Sequence, residues 1–143
     1  AVAPLFMNSQ LDEALPGQPV QEKGNEMMAP DSPNAAESME METVRASVVA
    51  TAAHPAEGTV HIVEADGKTY VRYENFKTLN GPDLFVYLSK DLQAHDFVSL
   101  GPLKATEGNI NYEVPAGTII DDYPYVLVWC RAFGVLFNSA QLR

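Results

Sequence analysis

The chain has 143 residues, 46% of them apolar and 20% charged, proportions that exclude fibrous and fully disordered classes and suit one soluble domain. Its net charge of −10 is unevenly held: residues 1–46 carry eight acids against Lys23 and Arg45, and residues 47–143 carry eleven acids against seven bases. This negative field repels phosphate backbones and anionic lipid, and no Lys/Arg cluster offsets it, which argues against a nucleic-acid partner.

The N-terminal stretch Ala1 to Met7 is too short for a signal-peptide core, so a targeting segment of an exported protein would lie upstream of residue 1. Pro4 to Leu15 contains Leu5, Phe6, Met7, Leu11 and Leu15, enough apolar surface to dock on a domain as a short helix or strand. From Pro16 to Glu42 the chain is rich in Pro, Gly, Asn and Glu, with too few large apolar residues to offset the entropy of ordering. Residues 1–42 are therefore expected to form a flexible acidic arm and linker. Its methionines, Met27, Met28, Met39 and Met41, are soft copper(I) ligands in principle and incidental parts of a polar tether otherwise.

From Thr43 to Arg143 the texture changes to short apolar runs separated by turn residues every eight to twelve residues, the pattern of an all-β sandwich or barrel. Val44 to Thr51 is the first candidate strand. Gly58 to Ala65 and Lys68 to Glu74 flank Asp66-Gly67, a two-residue loop suited to a type I′ hairpin. In the second of these strands Thr69, Val71 and Tyr73 oppose Tyr70, Arg72 and Glu74, so one face is wetter. Leu84 to Ser89 follows the turn Asn80-Gly81-Pro82-Asp83 and is apolar on both faces, as a strand inside a sheet is. Phe97 to Leu103, Ile110 to Val114 and Tyr125 to Phe137 complete the set, the last broken near Gly134. About eight antiparallel strands in two packed sheets are expected. No stretch is apolar for the roughly eighteen residues of a membrane span.

Cys130 is the only cysteine, so intrachain disulfides and cysteine-rich zinc sites are impossible. Period-two alternation places Cys130 with Val126, Val128 and Ala132, and puts Trp129, Arg131 and Phe133 on the opposite face. The thiol then points into an aliphatic layer, where it is a structural core residue unless a gap or a strand end exposes it. A blue-copper loop needs His and Met after the cysteine, and residues 131–143 contain neither. A thiolate ligand to noncovalent haem or a metal ion, with a distant histidine or methionine opposite, stays open. His54, His61 and His95 are the available imidazoles, His61 within a strand and the others in loops. No Gly-x-Ser-x-Gly elbow or phosphate-binding glycine loop occurs, and Asp121-Asp122 reads as a solvated turn, so no hydrolase or transferase site of a familiar kind is found. The five tyrosines Tyr70, Tyr73, Tyr87, Tyr112 and Tyr125 are either packing residues or a stacking platform for carbohydrate.

The run from Phe76 to Ser89, with Asn80-Gly81-Pro82-Asp83-Leu84 at its centre, resembles the signature of the electron-transfer DM-thirteen domain family. Leu100-Gly101-Pro102-Leu103-Lys104, then Gly108 to Pro115, then Val126 to Cys130 followed by Phe133, Phe137 and Ala140-Gln141-Leu142, fall in family order. His54 with Gly58-Thr59-Val60 resembles the family's opening hairpin, and the match spans Ser47 to Leu142. The resemblance implies an extracytoplasmic β-domain, periplasmic or at the cell surface, tethered through an upstream anchor absent from this chain. It also implies redox chemistry at Cys130, as a bare thiol or as a ligand to haem or a metal ion. His54 and His61 are then the candidate second ligands, and a redox or cell-surface protein the expected partner. The alternative is a binding or assembly module in which Cys130 is part of the core.

Overall fold

The computed structural model describes residues 9–17 and 45–143. The linker expected from Pro16 to Glu42, with its four methionines, lies outside the described residues but for its first two positions. Two five-stranded sheets face each other as a sandwich. The first has the order β1 (Gln10–Asp12), β8 (Glu107–Glu113), β5 (Lys68–Thr78), β4 (Ala56–Ala65), β2 (Ala46–Ser47). The second runs β3 (Val49–Ala50), β10 (Val135–Gln141), β9 (Tyr125–Cys130), β6 (Leu84–Ser89), β7 (Phe97–Pro102).

The expected all-β sandwich is thus present without a closed barrel, and the strand count exceeds eight for two reasons. The candidate strand from Val44 to Thr51 divides at Val48: β2 pairs with β4 in one sheet and β3 pairs with β10 in the other, so the chain turns a corner between sheets. The other addition is β1, which pairs parallel with β8, while the other strand pairings are antiparallel. The β4–β5 hairpin turns on Asp66 and Gly67 at φ 53° and 78°, the left-handed angles of a type I′ turn.

The core lies between the sheets, where alternate residues converge: Val60, Val71, Tyr73, Ile110 and Tyr112 from the first, and Leu84, Val86, Leu88, Val126, Val128 and Cys130 from the second. Burying each aliphatic side chain contributes about 2 kcal/mol. Tyr73 and Tyr112 meet edge to face at 5.8 Å within this core, and burial raises the pKa of each. The five tyrosines therefore do not form a common platform. A satellite cluster caps the outer face of the second sheet, where Tyr87 stacks on Phe97 at 4.0 Å and Leu127 is fully covered.

The outer face of the first sheet is polar yet shielded. Arg72 and His61 are only 7% and 4% exposed. Arg72 Nε donates to Glu74 at 2.7 Å, and Arg45 reaches both Glu74 (2.6 Å) and His61 Nδ1 (3.0 Å). Residues 13–17 strap across this face: Arg72 also donates to the Glu13 carbonyl, and Gly17 packs against Ala65. Partial burial opposes ionisation of Glu74, but the hydrogen bonds from Arg72 and Arg45 outweigh it and hold its pKa below the ordinary glutamate value. A depressed folded-state pKa adds stability that is complete above the unfolded pKa and disappears as pH falls through the folded one. On acidification from about pH 6 to about pH 3 the urea midpoint should therefore fall more for the wild-type chain than for Glu74→Gln. Parallel curves would show that the network is not coupled to folding.

Candidate functional site

Cys130 is the last residue of β9, opposite Leu84 of β6 and Val135 of β10. Its side chain is fully buried. As the alternation predicts, it shares the core face with Val126 and Val128; Ala132 falls in the following turn, outside the strand. What closes over the sulfur is not another strand but the turn Asn80-Gly81-Pro82-Asp83. The thiol donates to the Pro82 carbonyl, with Sγ 3.1 Å from the oxygen.

This turn is held at several points. Asp83 sits at φ 62°, a left-handed conformation that aspartate tolerates better than most residues. Its carbonyl accepts the Arg131 N–H at 3.0 Å, and its carboxylate pairs with Arg131 Nε at 3.4 Å. The Arg131 guanidinium lies 4.1 Å over the Phe85 ring, so it is aimed outward, away from the sulfur. Beneath the turn, Gly81 lies against Phe137; a Cβ there would come within 2.7 Å of the ring. Phe137 is the extra residue of a bulge in β10, between the pairs Leu136↔Trp129 and Asn138↔Val128, which lets it join the core although its neighbour Asn138 is buried too.

The two histidines are placed differently. His54 stacks on Phe137 at 3.9 Å. The Thr51 hydroxyl donates to the Phe137 carbonyl at 3.0 Å, leaving His54 Nδ1 to donate to Thr51 Oγ1 at 2.9 Å. His54 is therefore linked to the Cys130 turn through Phe137 and Gly81, with the aromatic ring between. His61 is on the outer face of the other sheet, and its Nδ1 accepts from Arg45, so it and Cys130 face away from a common centre.

The fit of a haem or metal ion follows from these positions. Sγ is fully buried and faces the Pro82 carbonyl, and no three His, Cys, Asp or Glu residues among the described residues are grouped to hold an ion. Two open cavities, of about 600 and about 350 Å³, lie along β1 and beside the 80–83 turn, and neither is lined by Cys130 or a histidine. The closed arrangement does not accommodate a Cys130-ligated group.

A family model described as electron transfer DM13 matches residues 48–142. The chain belongs to the DM13 electron-transfer family. No curated protein and no solved structure gives a significant match. A redox or electron-transfer role in general follows from membership of the DM13 family.

Pro82, which touches the sulfur, and Asp83 and Phe137, which hold the turn over it, are the residues that sequence reasoning did not assign to the site. Asn80 to Asp83 is legible as a turn aiming β6, but its position over Cys130 depends on the β6–β9 pairing between segments about forty-five residues apart. Because Cys130 packs among aliphatic residues and its thiol makes one weak hydrogen bond, Cys130→Ala should lower stability by about 1 kcal/mol in equilibrium denaturation. A loss beyond about 3 kcal/mol would mean the thiol anchors the turn.

Proposed function

We propose that this DM13 domain is an extracytoplasmic redox module that works through Cys130 as a bare thiol, reached when the 80–83 turn opens. The observation that carries this reading is the position of the sulfur: at a strand end, beneath four turn residues. Opening a turn breaks few hydrogen bonds, whereas exposing mid-strand Val128 would require parting the sheets.

The chemistry available to one cysteine is intermolecular. With a partner protein's disulfide as oxidant, the Cys130 thiol loses its proton and its sulfur attacks one disulfide sulfur, releasing the other as a thiolate. A different thiol of the partner then attacks the partner's sulfur in the mixed disulfide, forming a new disulfide there and expelling Cys130 as its thiolate, so the partner's disulfide is exchanged and Cys130 ends reduced. The fully buried Sγ cannot meet a partner's disulfide in the closed form, so the reaction belongs to the open form, where the sulfur is accessible. Phe133, three residues beyond Cys130 and 70% exposed, offers such a partner an apolar contact near the turn. Tethering at a periplasmic or cell surface, through an anchor upstream of this chain, accords with the acidic arm.

A second reading is a cell-surface binding or assembly module with a structural cysteine, favoured by the complete burial of Cys130. Reaction of the native chain with oxidised glutathione distinguishes the two. Under the redox reading a mixed disulfide forms at Cys130 faster than the protein unfolds globally, and dithiothreitol reverses it. Asp83→Val, which removes the Arg131 pair and forces a β-branched residue into a left-handed angle, should speed this reaction at least about tenfold. A thiol that reacts only at the global unfolding rate, in both proteins, would leave the binding module as the function. A Soret or charge-transfer band in the native protein would restore the ligation chemistry that the closed geometry disfavours.

A further inference from the structure

The docked segment 9–14 is bound to the β8 edge as a peptide ligand is bound to a receptor. Its ladder pairs Gln10, Leu11 and Asp12 with Glu107, Gly108 and Asn109. Ser9 and Thr106 are joined by reciprocal bonds: Ser9 N–H donates to Thr106 Oγ1 at 2.9 Å, and Thr106 N–H donates to the Ser9 carbonyl at 3.0 Å. Asn109 Nδ2 donates to the Asp12 carboxylate at 2.7 Å. Glu13 is read twice, its carboxylate accepting from Lys104 Nζ at 2.9 Å and from the Asn111 N–H at 2.7 Å. Asn111 Nδ2 closes the site on the Ala14 carbonyl at 2.8 Å. The seat is shaped for this strand: a Cβ on Gly108 would fall within 1.8 Å of the Leu11 carbonyl oxygen. Main-chain pairing to an edge strand, with side-chain pockets that select the sequence, is strand addition.

The connection back to the domain is much longer than docking requires. Gly17 lies at Ala65, and the chain resumes at Arg45, next to Ala46, which pairs with Val60. Those two points are separated by five residues of β4, about 17 Å at strand rise. The intervening residues 18–44 can reach at most about 90 Å when fully extended. Covalent geometry therefore permits a segment to occupy the seat of a neighbouring copy.

We propose that β1 is an exchangeable strand, and that the β8 edge of one copy accepts residues 9–14 of a second copy of this chain. Every contact named above is the same in either arrangement. Only effective concentration favours self-docking, and a connection of this length supplies about 1 mM of it. The wild-type chain is then monomeric at micromolar concentration and exchanges strands as its concentration approaches that value.

Reversing one contact exposes the exchange. In full-length Glu13→Lys the introduced ammonium faces Lys104 of its own chain; in full-length Lys104→Glu the introduced carboxylate faces Glu13 of its own chain. A mixture of the two matches both seats only by reciprocal exchange, giving a heterodimer. If each mismatch weakens self-docking about tenfold, two restored contacts bring the dimer dissociation constant from about 1 mM to about 10 µM. At about 100 µM of each, sedimentation velocity should show a dimer for the mixture and a monomer for either variant alone and for the double variant E13K/K104E. Both altered side chains are partly solvent-exposed, so the folds are retained. A monomeric mixture overturns the proposal and makes residues 9–14 a strap for their own domain alone. Equal dimerisation of one variant by itself overturns it as well, because neither can match the charge pair.

Discussion

The pairing of β6 with β9 is the constraint on which the rest of the molecule depends. It aligns Leu84 with Cys130, Val86 with Val128 and Leu88 with Val126, and these residues form the second sheet's half of the core. The same register carries the Asn80–Asp83 turn, which immediately precedes β6, over the end of β9. The sulfur is covered because two strands end together and one of them enters through a turn that must fold back across the other. A one-residue slip would move every one of these side chains to the opposite face, placing Trp129 in the core and turning the thiol away from it. Burial of the valines thus also fixes the environment of the cysteine.

Much of this was legible in the chain. Val71 and Tyr73 against Arg72 and Glu74, the Asp66-Gly67 turn, the doubly apolar Leu84–Ser89 and the inward thiol all follow from local pattern, because strand periodicity and turn chemistry are local properties. The sheet switch at Val48 was not, since both halves of that run are equally good strands and only their partners differ. Nor was the bulge that lets Phe137 enter the core beside Asn138. Around Cys130, composition indicates an apolar wall; the cover over it is a contact across forty-eight residues of chain, which periodicity cannot reach. His61 alternates correctly in its strand, yet alternation says only that it faces away from Val60. It does not say which sheet lies beyond.

The docked strand illustrates a different limit. Leu5 to Leu15 carries enough apolar residues to suggest docking, but what holds residues 9–14 is mainly polar: Thr106, Asn109, Asn111, Lys104 and Arg72 supply donors to carbonyls and to two carboxylates. Acidic residues that look like solvating charge in the sequence are, at Asp12 and Glu13, the groups being recognised. The strap also helps explain how Arg72 stays buried on a nominally outer face, because the Glu13 carbonyl accepts one of its donors.

The strap and the thiol cover are joined by a short series of contacts. Ser9 bonds Thr106, the Thr106 carbonyl accepts the Thr78 N–H at 2.9 Å, and the Thr78 hydroxyl donates to the Leu79 carbonyl, one residue before the turn. Ser9 and Thr106 also line the cavity beside that turn, together with Gly81 and Asp83. A chain of contacts transmits a signal only if some element in it has two states. Strand exchange is not such a change for the thiol, because a seat filled by a second copy presents the same Ser9 to the same Thr106. An empty seat is, because it removes Ser9 and one wall of the cavity. Any dependence of Cys130 reactivity on the arm should therefore track seat occupancy rather than oligomeric state, which keeps the proposed thiol chemistry and the proposed strand exchange separable.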